Sequence, residues 1–154
     1  MRCTELDISD RVTAADVLAC QRAGYAVEAE LIGFDGILPL HETLDHLLRC
    51  GERFLGSYDP EGLAGVVSWE KLTDGTVDIR RLVVAPRAFR RGHATALLAA
   101  LALAEPAERF TVATGAANTP ALTLYRRHGF VPVETREVVP GALVTSLERR
   151  VPQP

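Results

Sequence analysis

The chain has 154 residues, 47% of them hydrophobic and 24% charged, which fits one ordinary globular domain and excludes a disordered tail or a collagen-like repeat. A chain of this length can bury about 68–70% of its unfolded surface, so it needs neither disulfides nor a structural metal. The net charge of -3 without a basic stripe argues against nucleic acid; no apolar run nears the roughly 18 residues of a membrane span, and the acidic start (Glu5, Asp7, Asp10) is no signal peptide, so a cytoplasmic protein without a membrane partner is expected.

Loose alternation predicts a strand over 3–8, and Thr13 can cap a helix running through Val17, Leu18, Tyr25 and Val27 to about Leu31. A loop with Gly33, Asp35, Gly36 and Pro39 precedes a short helix predicted over 41–49. Strands over 53–58 and 63–72, with Asp59, Pro60 and Gly62 between them, form an antiparallel hairpin, and a third strand follows over 76–84. In that third strand Val77 and Ile79 are apolar at odd positions but Leu82 and Val84 at even ones. Either an inserted residue makes a bulge near Arg80 and Arg81, or the strand is buried on both faces, as Val83 suggests. Beyond Pro86 the apolar spacing changes to that of a helix over 92–104, then come a strand over 110–113, a helix from Pro120 through His128 ended by Gly129, and strands over 130–136 and 142–149. The order describes an α/β domain with a mixed sheet.

Charge is unevenly spread. Residues 1–50 carry four Arg against nine Asp and Glu, whereas residues 79–104 carry five Arg (Arg80, Arg81, Arg87, Arg90, Arg91) and no acid, a local field that attracts anions. Cys3, Cys20 and Cys50 show no CxxC spacing and read as reduced packing thiols. His41, Glu42, Asp45 and His46 lack the HExxH spacing and read as a polar helix face. His93 reads as a loop side chain, His128 as a helix-end residue where cations are favoured, and Arg126 and Arg127 as solvated. Trp69 and Tyr25 either line an acceptor pocket or pack.

The chemically informative segment is the passage from Leu82-Val83-Val84 through the loop to Gly92-His93-Ala94-Thr95. The first amides of a helix have no partner within it, and the helix dipole adds positive potential there. Gly92 and Ala94 leave that turn bare, Thr95 adds a hydroxyl, and Arg90 and Arg91 add charge, which suits a pyrophosphate. The Gly-Lys-Ser/Thr ending of a Walker loop and the GxGxxG dinucleotide fingerprint are both absent, which disfavours a nucleoside triphosphate.

The hexad Phe89-Arg90-Arg91-Gly92-His93-Ala94, opening a helix after an irregular strand, resembles the acetyl-CoA loop of the GCN5-related N-acetyltransferases (GNAT), commonly Gln/Arg-x-x-Gly-x-Gly/Ala. Phe89 stands where the family usually has Gln or Arg. Asn118, Ala121, Leu124, Tyr125, Gly129 and Phe130 resemble the family's second signature. The resemblance covers roughly residues 53–149. It implies a single-domain α/β acyl-CoA N-acyltransferase fold with a mixed, mostly antiparallel sheet flanked by helices.

It also implies that Leu82, Val83 and Val84 offer backbone groups to the pantetheine arm, and that the loop Phe89, Arg90, Arg91, Gly92, His93, Ala94 and Thr95 receives the pyrophosphate. Asn118 would bond the pantetheine amide, Tyr125 would protonate the leaving sulfur, and a backbone N–H near Val84 would support the oxyanion. For the general base, Asp78 and Glu70 are the nearest carboxylates by layout; each is also readable as a solvated strand residue. The expected cosubstrate is acetyl-CoA without a metal, the acceptor a small-molecule or peptide amine, and a homodimer is compatible with the resemblance. The alternative is a non-catalytic acyl-CoA-binding regulatory module. An O-acyl or longer-chain acyl transferase finds no discriminator in the sequence.

Overall fold

The computed structural model describes residues 2–152. Strand β1 (Arg2–Leu6) leads to helix α1 (Arg11–Ile32), then to the short helices α2 (Leu38–His41) and α3 (Leu44–Leu48). Strands β2 (Arg53–Asp59), β3 (Gly62–Lys71) and β4 (Val77–Val84) follow, then a 3-10 turn at Pro86–Ala88 and helix α4 (His93–Ala104). Strand β5 (Arg109–Gly115), helix α5 (Thr119–Arg127) and strands β6 (Val131–Val139) and β7 (Ala142–Arg150) complete the chain. The strands form one seven-stranded sheet in the order β1-β2-β3-β4-β5-β7-β6. Every neighbouring pair is antiparallel except β4 and β5. Among the described residues, no helix is long and apolar enough to cross a membrane.

Two apolar clusters sandwich the sheet. Leu97, Leu98 and Leu101 of α4 pack with Val67, Trp69, Val77 and Ile79, and Tyr125 of α5 joins them. On the other face Ala14, Val17 and Cys20 of α1 pack with Phe54, Val66 and Val83. Trp69 is thus a core residue.

Three local predictions are corrected. The cap of α1 is Asp10, whose Oδ2 accepts from the Thr13 amide at 3.0 Å and the Thr13 hydroxyl at 2.8 Å. The helix predicted over 41–49 is two helices, because Pro39 lies in the first turn of α2 and Thr43 restarts the chain by capping His46 N–H at 3.2 Å. Between them Glu42 turns inward, so the expected polar face at His41, Glu42, Asp45 and His46 has a buried carboxylate.

The irregularity in β4 is a bulge. Ser68 pairs with Arg81 and Trp69 with Ile79, so Arg80 is the inserted residue. It shifts the alternation: Val77, Ile79 and then Leu82 face α4, while Val83 faces α1. The strand is therefore both bulged and covered on each face.

The bulge directs Arg81 into a buried box. Its Nε and Nη2 donate to Glu52 at 2.9 and 3.1 Å, Nη2 also reaches Glu42 Oε2 at 3.1 Å, and Nη1 reaches Gln21 at 3.0 Å and Glu42 Oε1. Ser68 donates to Glu52 at 2.7 Å, and the Gln21 amide donates to Glu42 at 2.8 Å. The box joins α1, the α2–α3 link and the segment before β2 to the bulged strand. Removing one partner of a buried ion pair typically costs about 3–5 kcal/mol, because the other charge stays buried and uncompensated.

Arg81→Leu is therefore expected to lower the unfolding free energy by about that amount, about 3–5 kcal/mol, in urea titrations; a loss below about 1 kcal/mol would contradict the box. Burial raises the Glu42 carboxyl, but bonds from Arg81 and Gln21, the Arg81 charge and His46 outweigh it and hold the group below its ordinary range. A depressed folded-state value means that this stabilisation is complete above the ordinary carboxylate value of about 4.3 and is lost as pH falls through the lower folded value. Glu42→Gln should flatten the acid limb of stability against pH, and an unchanged limb would refute that assignment.

Candidate active site

Strands β4 and β5 share only the pairs Val77 with Phe110 and Asp78 with Thr111. Beyond them the strands part, and the gap is walled by Ile79–Leu82 on one side and Val112–Thr114 on the other. Tyr125 of α5 lines it together with Tyr25 and Glu28 of α1. The Ala85 N–H still turns toward β3, donating to Ala64 at 2.7 Å, whereas the Leu82 N–H turns into the gap and donates to Tyr25 Oη at 3.3 Å. By the period of two, the amide of Val84 shares the direction of Leu82.

Helix α1 can approach this strand because of Gly24. A Cβ there would lie 2.2 Å from Val83 Cγ2 and 2.7 Å from the Val84 carbonyl oxygen. A glycine inside a helix costs roughly 0.5–1 kcal/mol relative to alanine, so its presence reflects the contact.

Tyr125 is 5% exposed and meets Phe130 edge-on with ring centroids 5.5 Å apart. Among the described residues nothing holds its hydroxyl in a hydrogen bond. Burial, with Tyr25 and Glu28 nearby, pushes the phenol well above its ordinary value and keeps it protonated. Burial and Glu28 raise Tyr25 likewise, against a smaller opposing effect of the Leu82 amide. Glu28 Oε1 accepts from Asn118 Nδ2 at 2.8 Å and Thr114 Oγ1 at 3.2 Å, so its carboxylate is fixed at the rim of the gap. Asn118 Oδ1 caps α5 by accepting from Ala121 N–H at 3.2 Å. Both ends of that side chain are thus engaged within the protein.

Asp78 and Glu70 stand elsewhere. Asp78 accepts from Thr111 Oγ1 at 2.7 Å and pairs with Arg80 Nε at 3.2 Å, and Glu70 accepts from Arg80 Nη2 at 2.8 Å. They hold the bulge arginine where β4 and β5 are still paired, outside the walls of the gap.

At the far end of β4 the chain turns through Arg90 (φ 62°) and Gly92 (φ 87°) into α4. No side chain caps this helix, and its first internal bond runs from Ala96 N–H to the Gly92 carbonyl, so the amides of the first turn are left for an outside acceptor. Phe89, Arg90, Arg91, Gly92 and Thr95 are exposed and Ala94 half-buried. His93 differs from its expected loop role: its ring is buried and shares a 2.6 Å hydrogen bond with Ser57 of β2, anchoring the turn from beneath. The five-arginine field narrows as well. Arg80 and Arg81 are paired as above, and Arg87 pairs with Asp59 at 2.9 Å and Glu61 at 2.8 Å, which leaves Arg90 and Arg91 free among the described residues. At the end of α5, burial and Arg149 lower His128, which opposes the cationic form that a helix end favours. No group of three or more His, Cys, Asp or Glu among the described residues could hold a metal ion.

On the side away from this turn the gap opens into a cleft of about 400 Å³ between the end of α1, the loop before α2 and the β6–β7 turn. Tyr25, Glu28, Arg80 and Thr114 line both spaces, so the two communicate. Sequence reading missed Glu28. The available signal was its spacing from Tyr25 and Ile32, which puts a carboxylate on the buried stripe of a helix.

A profile of the acetyltransferase (GNAT) domain matches residues 50–132. The UPF0157 protein YqkA of Bacillus subtilis (strain 168) is 39% identical over 141 residues, 91% of this chain and 41% of that protein. The chain therefore spans about two fifths of the length of this curated relative. Among solved structures, the ribosomal-protein-S18-alanine N-acetyltransferase from Escherichia coli superposes with a TM-score of 0.77 at 13% identity, covering 99% of this chain and 96% of that one. A putative streptothricin acetyltransferase from Bacillus anthracis, solved with acetyl coenzyme A, gives 0.58 at 15% identity over 66% of this chain and 63% of that one. At such identities these structures speak for the fold alone.

Gly24→Ala should destabilise the protein by about 1–3 kcal/mol in denaturant titrations despite the better helix propensity of alanine, because the clash includes a backbone oxygen. A neutral or stabilising result would show that α1 does not press on β4 as described.

Proposed function

The chain belongs to the GNAT acetyltransferase family, and from that premise we propose that it transfers an acetyl group from acetyl-CoA to a primary amine by direct attack in a ternary complex. The observation that carries this reading is the gap between β4 and β5, which has the uncapped turn of α4 at one end and Tyr125 and Glu28 along its walls.

The amides of Gly92 to Thr95, with Arg90 and Arg91, bind the pyrophosphate as charge-assisted hydrogen-bond donors, each worth roughly 1.5–3 kcal/mol. The edge of β4 at Leu82 and Val84, which β5 does not pair, takes the pantetheine arm as an added strand, the Leu82 amide turning from Tyr25 to the arm and Val83 forming the packed back of that edge. Asn118 acts through its neighbours, capping α5 and aiming Glu28. Phe89 and His93 shape the loop rather than contact the phosphates.

Glu28 receives the proton of the acceptor ammonium, directly or through one water, since an amine with a pKa near 10 is mostly unreactive at neutral pH. The freed nitrogen forms the C–N bond, and a β4 amide turned into the gap supports the negative charge on the carbonyl oxygen. Tyr125 gives its proton to the sulfur as the C–S bond breaks, and the second proton of the attacking nitrogen, released as the amide forms, returns through water to restore the phenol. Glu28 takes the place of Asp78 and Glu70 in this scheme because those two are engaged by Arg80 and Thr111 outside the gap. No covalent acyl-enzyme is invoked: burial pushes the Cys20 thiol up to about 11 and raises Cys3 and Cys50, so no thiolate is poised to attack.

Gly92→Val, which puts a β-branched residue at positive φ, should weaken acetyl-CoA binding at least tenfold in calorimetry; unchanged affinity would remove the cradle. Tyr125→Phe should lower kcat by about 10²-fold while leaving acetyl-CoA affinity within about threefold, because a thiolate whose acid has a pKa near 8.5 leaves moderately well unaided. Tight acetyl-CoA binding with no turnover of any amine would instead favour the non-catalytic acyl-CoA-binding module.

A further inference from the structure

The chemistry of the acceptor can be read from the cleft that adjoins the gap; this inference rests on the acetyl-transfer reading. The walls contributed by Ile32, Phe34, Ile37, Val138, Leu143 and Val144 are apolar. Among the described residues, two charged side chains line the cleft, Glu28 and Arg80. Arg80 is already engaged by Glu70 at 2.8 Å and Asp78 at 3.2 Å, so two carboxylates offset its single charge and a third would meet net negative potential. Glu28 sits at the inner end, where the cleft meets the gap, which is where a reacting nitrogen must lie. At the outer end Val138 is 46% and Leu143 49% exposed, apolar surface that the fold itself leaves uncovered.

We infer that the acceptor is a small monoamine: one primary ammonium on an uncharged, apolar aliphatic or aryl body. The ammonium pairs with Glu28, and the body lies against Phe34, Ile37 and Leu143. A polyamine would place its second cation against those apolar walls with no carboxylate to meet it, and an amino acid would bring a carboxylate beside Glu28 with no free cation. Each case leaves a charge desolvated and unpaired, which costs several kcal/mol. The volume of about 400 Å³ falls at the small end of the range that ordinary ligand pockets span.

The test uses the full chain with four acceptors: 2-phenylethylamine, spermidine, phenylalanine and a short peptide with an apolar first residue. Calorimetry in the presence of CoA reads occupation of the cleft, and release of the CoA thiol from acetyl-CoA reads the transfer. The expected result is that 2-phenylethylamine binds at least tenfold tighter than each of the other three, and is acetylated with a kcat/KM at least tenfold higher. Leu143→Glu, at an exposed position, should shift the ratio of affinities toward spermidine by about tenfold or more; a merely structural effect would lower both equally. Preference for spermidine, phenylalanine or the peptide, or a ratio unmoved by Leu143→Glu, overturns the inference. Tight monoamine binding without thiol release upholds the cleft chemistry and overturns the transfer reading instead, so the two failures are told apart.

Discussion

When two neighbouring strands of a sheet share only the pairs Val77 with Phe110 and Asp78 with Thr111, the rest of their facing edges must find other partners or stay open to solvent. Here the Leu82 N–H finds the Tyr25 hydroxyl, the two strands stay apart, and much of the remaining architecture serves to hold them so. Arg80, inserted into β4 without a partner on β3, bends the strand where it leaves β5. Arg81, the next residue, fixes the bent strand from behind through Glu42, Glu52 and Gln21. Gly24 lets α1 lie against the same stretch, which brings Tyr25 and Glu28 to the mouth of the opening.

The opening divides the chemistry between two walls. In the function proposed above, backbone groups of β4 and the bare turn before α4 recognise features shared by every molecule of a thioester carrier, so they need no particular side chains. Side chains of α1, the loop before α2 and the β6–β7 turn line the cleft assigned to the variable partner, and there residue identity decides. One carboxylate on an otherwise apolar wall selects differently from several, and a paired arginine differs from a free one. On this reading the fold carries the transfer while the acceptor is chosen by a few residues grafted onto it.

What the sequence made legible and what it hid follow one physical division. The change of parity between Val77–Ile79 and Leu82–Val84 announced the bulge, and Gly92 and Ala94 after a strand announced the bare helix start, because both are local consequences of side-chain periodicity and backbone freedom. Arg81 looked like part of a positive surface because its partners, Gln21, Glu42 and Glu52, are scattered along the chain and meet it only after α1 has docked. Glu28 was hidden for the same reason: a carboxylate within a helix reads as solvated until Asn118, ninety positions away, is seen to hold it. The helix expected over 41–49 broke because the chain turns at Glu42 to bring that carboxylate to Arg81, and Thr43 supplies a fresh cap. Tyr125 and Asn118 were visible as a pattern, but not the fact that Asn118 spends its hydrogen bonds on the protein.

The most direct test of the central claim is a crystal structure with acetyl-CoA bound. The pantetheine arm is expected between β4 and β5, with its amides bonded to the β4 edge, the pyrophosphate on the first turn of α4, and the sulfur beside the Tyr125 hydroxyl. A cosubstrate bound elsewhere on the surface, or β4 and β5 zipped together along their length, would contradict it.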